Sequence, residues 1–227
     1  VYVFYRIKKM TDFFDNITVR DFFPKMQYQI DILKQAFPAS LNMFCVGAGF
    51  FIIVFFASFF PTPDTSSISV ASYGIAIRIE QIILLPAIGL NFACLSLTGQ
   101  NFGAVKYDRI REGYLICLKY GLILMVCGSL FLYFGAGYFM KIFTDDIPVI
   151  NTGIHYLQIA ALFAPILPVL NISIALMQGV KKPIYTVFIS LFKEVVGAAI
   201  IIWLLCFYLN YKLQGLWVGI LIVNYLS

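Results

Sequence analysis

Five long apolar stretches separated by short polar loops constrain this chain more than any other feature. Each runs about 25 to 32 residues, whereas ~20 helical residues suffice to cross a bilayer core. In lipid the backbone must satisfy its own hydrogen bonds, so stretches of this kind are helices. Hydrophobic residues make up 61% of the chain and charged residues 12%, about half the charge of an ordinary soluble domain. The fold class is therefore all-α and integral to the membrane.

Helices are expected at about 35–60, 69–100, 113–140, 153–178 and 184–209. A sixth begins near Gly215 and stops at Ser227, only thirteen residues on. The chain reads as a piece of something longer. It opens on Val1 without an initiator Met, and residues 1–7 read as the end of a preceding transmembrane helix. Residues 8–34 mix charges with Phe13, Phe14, Phe22, Phe23 and Tyr28 and are too polar to span. They read as a cytoplasmic linker, either solvated or lying amphipathically on lipid headgroups. Residues 35–227 form the membrane domain.

Lys and Arg set the orientation. From the N-terminal segment onward the successive loops carry six, none, three, one, two and one of them. This alternation is what the positive-inside rule requires, with residues 8–34 inside and the loop at 61–68 outside. The net charge of +5 is thus a matter of topology, and nucleic acid is not an expected partner. The expected location is a cell membrane, the bacterial cytoplasmic membrane in particular. The five cysteines all lie within apolar spans without a CxxC pair, so they read as small packing residues. His155 is the only histidine, and no metal site or cofactor is expected. GxSxG, HExxH, P-loop and dinucleotide-binding patterns are absent from the sequence, which argues against an enzyme.

Polar residues at membrane depth are the candidates for function. The second span carries Tyr73, Arg78, Glu80, Gln81, Pro86 and Asn91. Glu80 lies eleven residues past Ser69, or ~17 Å at 1.5 Å per residue, near mid-bilayer. Helical spacing places Tyr73, Ala76, Leu84, Ala87 and Asn91 on its face, whereas Arg78 points elsewhere. The fifth span carries Lys193 and Glu194 at similar depth. A structural reading pairs Arg78 with Glu194 and Lys193 with Glu80 between helices. The functional reading makes Glu80 a carboxylate that alternately holds a proton or cation and a substrate. Pro86, Pro165 and Pro168 each remove a backbone donor. They mark tolerated kinks or the broken helices of a transporter site. Gly121, Gly128 and Gly135 recur every seven residues, as in a close-packed helix seam.

Several motifs follow one another in order. They are Val70-Ala-Ser-Tyr-Gly-Ile-Ala-Ile-Arg-Ile-Glu-Gln, Pro86-Ala-Ile-Gly-Leu, Gly99-Gln-Asn-Phe-Gly-Ala, Phe143-Thr-Asp-Asp-Ile-Pro-Val-Ile and Leu176-Met-Gln-Gly-Val-Lys-Lys-Pro. Together they resemble the multidrug and toxic compound extrusion family over nearly the whole chain. The resemblance implies the C-terminal lobe, helices seven to twelve, of a twelve-helix transporter with two six-helix bundles. It implies a secondary active antiporter that exports organic, cationic or amphipathic small molecules in exchange for protons or sodium ions and needs its N-terminal lobe. Gly99, Gln100 and Gly103 then lie at the cytoplasmic end of helix eight, where they read as turning and capping residues of a moving gate. Some members carry coupling acids on helices seven and ten, but spans 35–60 and 153–178 contain no Asp or Glu. Glu80 is the best acid present. A flippase for lipid-linked sugars, of the same wider superfamily, is the alternative; four membrane-depth charges that cancel mildly favour the exporter.

Overall fold

A computed structural model describes residues 26–59 and 67–226. All regular structure among them is helical. Helix α1 spans Met26–Ser58, α2 Ser67–Gly103 and α3 Tyr107–Phe143. Helix α4 (Ile147–Phe163) passes through a 3₁₀ turn, Ala164–Ile166, into α5 (Leu167–Gly179). Helix α6 (Ile184–Ser190), a π-helical segment (Leu191–Gly197), α7 (Ala198–Trp203) and a second π segment (Leu204–Tyr208) form one further rod, followed by α8 (Lys212–Leu226). Five rods are long and apolar enough to cross a membrane, and α8 is a shorter apolar helix. The protein is a multi-pass membrane protein, and large apolar side chains such as Phe51, Phe92 and Phe134 cover its outer faces, as lipid contact requires.

The chain divides into two compact units, Val1–Phe37 and Pro38–Ser227. In the first, the described residues are the opening turns of α1, with a solvent-exposed Asp31–Lys34 contact at 3.9 Å. The helix is already formed at Met26, the first described residue of this segment, nine residues before the expected start at Gln35. Residues 1–25, with the expected end of a preceding helix and most of the expected linker, lie outside the described residues. The packing that follows belongs to the second unit.

Helix α2 is the hub and packs on α3, α4 and α5. Its buried face carries Tyr73, Ala76, Glu80 and Ala87, with Leu84 and Asn91 half-buried, the stripe that helical spacing predicts. Gly121 of α3 lets Pro168 and Ile172 of α5 approach, and Gly128 does the same for Ile83 of α2. The third glycine of the expected seam departs from it, since Gly135 faces Phe139 of its own helix.

The prolines behave differently from one another. Helix α2 continues through Pro86 without interruption. At Pro165 the fourth span breaks, and side chains close the break. Ser129 Oγ of α3 donates to the Ala161 carbonyl that the proline leaves without its helical donor. Tyr225 Oη donates to Leu162 O at 2.9 Å. Pro168 sits in the first turn of α5, where a missing N–H costs little. The freed carbonyls thus serve helix packing.

The fifth span, expected as one regular helix over 184–209, is interrupted by two π segments. Gly197 closes the first of them directly over the Phe192 carbonyl, five residues back, where a Cβ would come within 2.7 Å. In the second, Leu209 N donates to Leu204 O at 2.9 Å, again five residues apart.

Candidate functional site

Glu80 points inward from the middle of α2 and is 8% exposed. Tyr156 Oη of α4 donates to its Oε2 at 2.6 Å. A bond this short to a buried carboxylate is of the charge-assisted kind. Three buried aromatic rings form the surrounding wall. Tyr73 meets Tyr156 edge to face at 5.2 Å, Trp217 of α8 stacks on Tyr73 at 5.7 Å, and Trp217 meets Tyr156 at 4.9 Å. Phe50 of α1 stacks on the remaining face of Tyr73 at 5.7 Å.

Glu80 and the two tyrosines border a cavity of about 270 Å³, with Trp217 and Phe50 packed behind Tyr73. Tyr73, Glu80 and Gln81 of α2, Tyr156 of α4 and Asn171 of α5 line one side; Lys193 and Glu194 of the first π segment line the other. Lys193 Nζ lies 3.0 Å from Glu194 Oε1. Adjacent residues of an α-helix diverge by about 100°, so Glu80 and Gln81 reach the cavity from different angles. A π turn holds more residues per revolution, so consecutive side chains diverge less. The local distortion therefore brings both charges to the cavity. Such segments are frequent at functional sites.

Helix α1 packs closely on Glu194. Gly49 lies so close that a Cβ there would be 2.8 Å from both the Glu194 carbonyl oxygen and its Oε2. About two turns earlier on α1 and one turn earlier on the other rod, Ser190 Oγ donates to Asn42 Oδ1 at 3.0 Å, with both residues buried.

The expected interhelical pairs do not form. Glu194 pairs with its neighbour Lys193 and leaves Arg78 aside. Glu80 is held by a tyrosine hydroxyl. Arg78 is exposed on the other face of α2 and has no ion-pair partner among the described residues. The reason is angular: a residue two positions from Glu80 cannot share its face. The cavity therefore contains Glu80, Glu194 and Lys193, formally one negative charge, and the four membrane-depth charges do not cancel inside it. Asn91 is half-buried away from this cavity.

The C-terminal end of α2 also differs from expectation. The helix runs through Gly99, Gln100 and Gly103, and no described glycine has a positive φ. The turn is made instead by Val105 at φ 58°, with Lys106 N donating to Asn101 O at 2.9 Å. A Cβ on Gly99 or Gly103 would meet open space, so neither is required to be glycine by packing within this lobe. Gln100 Nε2 donates to Ser96 Oγ at 3.3 Å. His155 is exposed, and no cluster of His, Cys, Asp or Glu among the described residues suits a metal ion.

Tyr156, Trp217 and Gly49 were not among the expected site residues. Tyr156 sits beside the single histidine, in a span without acids, where nothing local marks it. Trp217 is one of two tryptophans, and a buried indole in a short apolar helix was a usable signal.

The comparisons with known proteins agree with this architecture. The probable multidrug resistance protein NorM of Thermotoga maritima is 23% identical over 87% of this chain and 42% of its own length. A MATE transporter solved in a bent conformation superposes with a TM-score of 0.85 at 24% identity, over 97% of this chain and 47% of its own. A Pyrococcus furiosus transporter of the MOP superfamily, described as having a binding pocket of reversed polarity, gives 0.84 at 23% identity, over 92% and 46%. The chain spans about half the length of these relatives. The MatE family model matches residues 38–204, which takes in every cavity-lining helix except α8, and the chain belongs to that family.

Proposed function

We propose that this chain is one lobe of a two-lobe secondary antiporter that exports organic cations or cationic amphiphiles in exchange for protons or sodium ions across a cell membrane. The observation that carries this reading is a buried carboxylate, Glu80, facing a membrane-embedded cavity whose formal charge is negative. A buried acid at this depth is expensive unless it has a partner or a task. Tyr156 supplies only a neutral hydroxyl, so the charge on Glu80 remains available to a proton, a metal cation or an organic cation. Competition among them for one carboxylate would couple entry of one to exit of another. A carrier of anionic sugar-linked lipid would require the opposite cavity charge. With Arg78 turned outward, that alternative loses its strongest residue. Alternating access requires a second bundle rocking against this one, so the complementary lobe is part of the proposed machine.

The test is export of ethidium from cells producing the complete two-lobe transporter, wild type against Glu80→Gln, with and without an uncoupler and with and without sodium. Loss of export in the variant at normal protein level is expected. Normal export would remove Glu80 from the coupling site and place coupling in the other lobe.

A further inference from the structure

The cavity contains two carboxylates and one ammonium, and the ammonium belongs to the protein. Lys193 is bound to Glu194 at 3.0 Å, yet both side chains keep about a fifth of their surface accessible, 18% and 21%, and both line the cavity that Glu80 lines. Their carboxylate partners are held very differently. Glu80 accepts from the buried Tyr156 hydroxyl, and Glu194 packs against the bare backbone of Gly49. Lys193 has four rotatable carbon–carbon bonds and a point charge that does not depend on a planar fork, so it is the mobile member of the set.

We propose that Lys193 is a tethered competitor of the transported cation: its ammonium neutralises the acidic cavity when substrate is absent and yields that position to the substrate when substrate enters. This rests on the cation-export reading above and adds a specificity-determining residue to it. An empty cavity with two bare carboxylates at membrane depth would carry a large desolvation cost. The tethered ammonium removes most of that cost in the empty state. Its presence also weakens every cationic ligand by the same competition, and leaves neutral ligands of equal shape almost unaffected. Affinity is thereby kept low enough for release on the far side, and selectivity rests on charge.

The test uses the purified two-lobe transporter in detergent and two probes of similar shape, the tetraphenylphosphonium cation and neutral tetraphenylmethane analogues bearing one solubilising hydroxyl. Lys193→Gln is expected to bind the cation about tenfold more tightly, a gain of ~1.4 kcal/mol, with the neutral probe changed less than twofold. Lys193→Arg should stay near wild type. The double variant Lys193→Gln/Glu194→Gln restores the formal cavity charge of wild type without the tethered cation, and should still bind the cation several-fold more tightly. If the double variant returns to wild-type affinity, cavity charge alone sets binding and the competitor role is overturned. Equal gains for both probes in Lys193→Gln would overturn it as well, since removal of bulk would explain them. Absence of any cation binding by wild type would overturn the cation-export reading itself, and the competitor with it.

Discussion

The two sides of the cavity are built on opposite principles. On the α2–α4–α8 side, Glu80 is enclosed by three rings that touch one another and by a tyrosine hydroxyl at 2.6 Å. Each of these groups is buried and packed against the others. On the opposite side, Lys193 and Glu194 stand on a π-helical segment, partly accessible, with one ion pair and one close glycine contact to position them. The first side resembles a protein core with a single charge set into it. The second resembles a surface folded inward. A transporter must hold a charge site in register while a substrate comes and goes, and here those two demands fall on different helices.

The aromatic side has the most to lose. Trp217 is 2% exposed and touches both tyrosines that frame Glu80. Trp217→Ala should destabilise the lobe by ~3–5 kcal/mol, the range for a large aromatic truncated in a packed core. Thermal unfolding in detergent would measure it. A cost below ~1 kcal/mol would show that α8 adds little to this wall and would erase the contrast.

Tyr156→Phe comes next. It keeps the ring and removes one hydroxyl, so Glu80 loses its 2.6 Å donor. A hydrogen bond to a charged group contributes ~1.5–3 kcal/mol. The expected result is a loss of that size in stability together with weakened dye export at unchanged expression. Unchanged export would mean that Glu80 is positioned by packing alone.

Gly49→Ala tests the other side. An added Cβ would sit 2.8 Å from the Glu194 carboxylate and backbone oxygen, and overpacking of this kind costs ~1–3 kcal/mol. Because the side is compliant, the smaller end is expected, with Glu194 moving and Lys193 freed from it. Tetraphenylphosphonium binding should then weaken, since a freed ammonium can reach Glu80. A destabilisation as large as that of Trp217→Ala would show that the π-helical side is as rigid as the aromatic one.

How much of this could be read from residues alone follows the same division. Hydropathy and length locate the membrane spans because lipid imposes a one-dimensional rule on each segment. Helical spacing placed Tyr73, Ala76 and Glu80 on one buried face and turned Arg78 away from it. The break at Pro165 is a local consequence of a missing N–H. What stayed hidden depends on other helices. No pattern within 184–209 announces a π turn, and Gly49 of α1 meets that rod at Glu194, within the first of them. The partner of Glu80 lies 76 residues away in Tyr156, in a span that contains no acid to mark it. Charge counting along the chain gives a neutral set of four; helical spacing already turns Arg78 off the Glu80 face, and what stays hidden is that Glu194 and Lys193 pair with each other beside Glu80.

The smallest effect belongs to a residue on neither side. Val105 makes the turn between α2 and α3 at φ 58°, a left-handed conformation that a β-branched residue adopts at a cost of roughly 1–2 kcal/mol. Glycine removes that strain but has more conformational freedom to lose on folding, so Val105→Gly should stabilise the lobe by ~1 kcal/mol or less. Val105 is exposed, in a loop outside the cavity lining, so tetraphenylphosphonium binding should remain at the wild-type value. The pairing of these two results gives the variant its use. If a stability change at Val105 left binding alone, the binding changes expected at Gly49 and Tyr156 would have to come from the cavity walls themselves. If binding shifted along with stability at Val105, the turn between α2 and α3 would be coupled to the cavity, and the contrast between a rigid and a compliant wall would have to be redrawn around α2 as a moving rod.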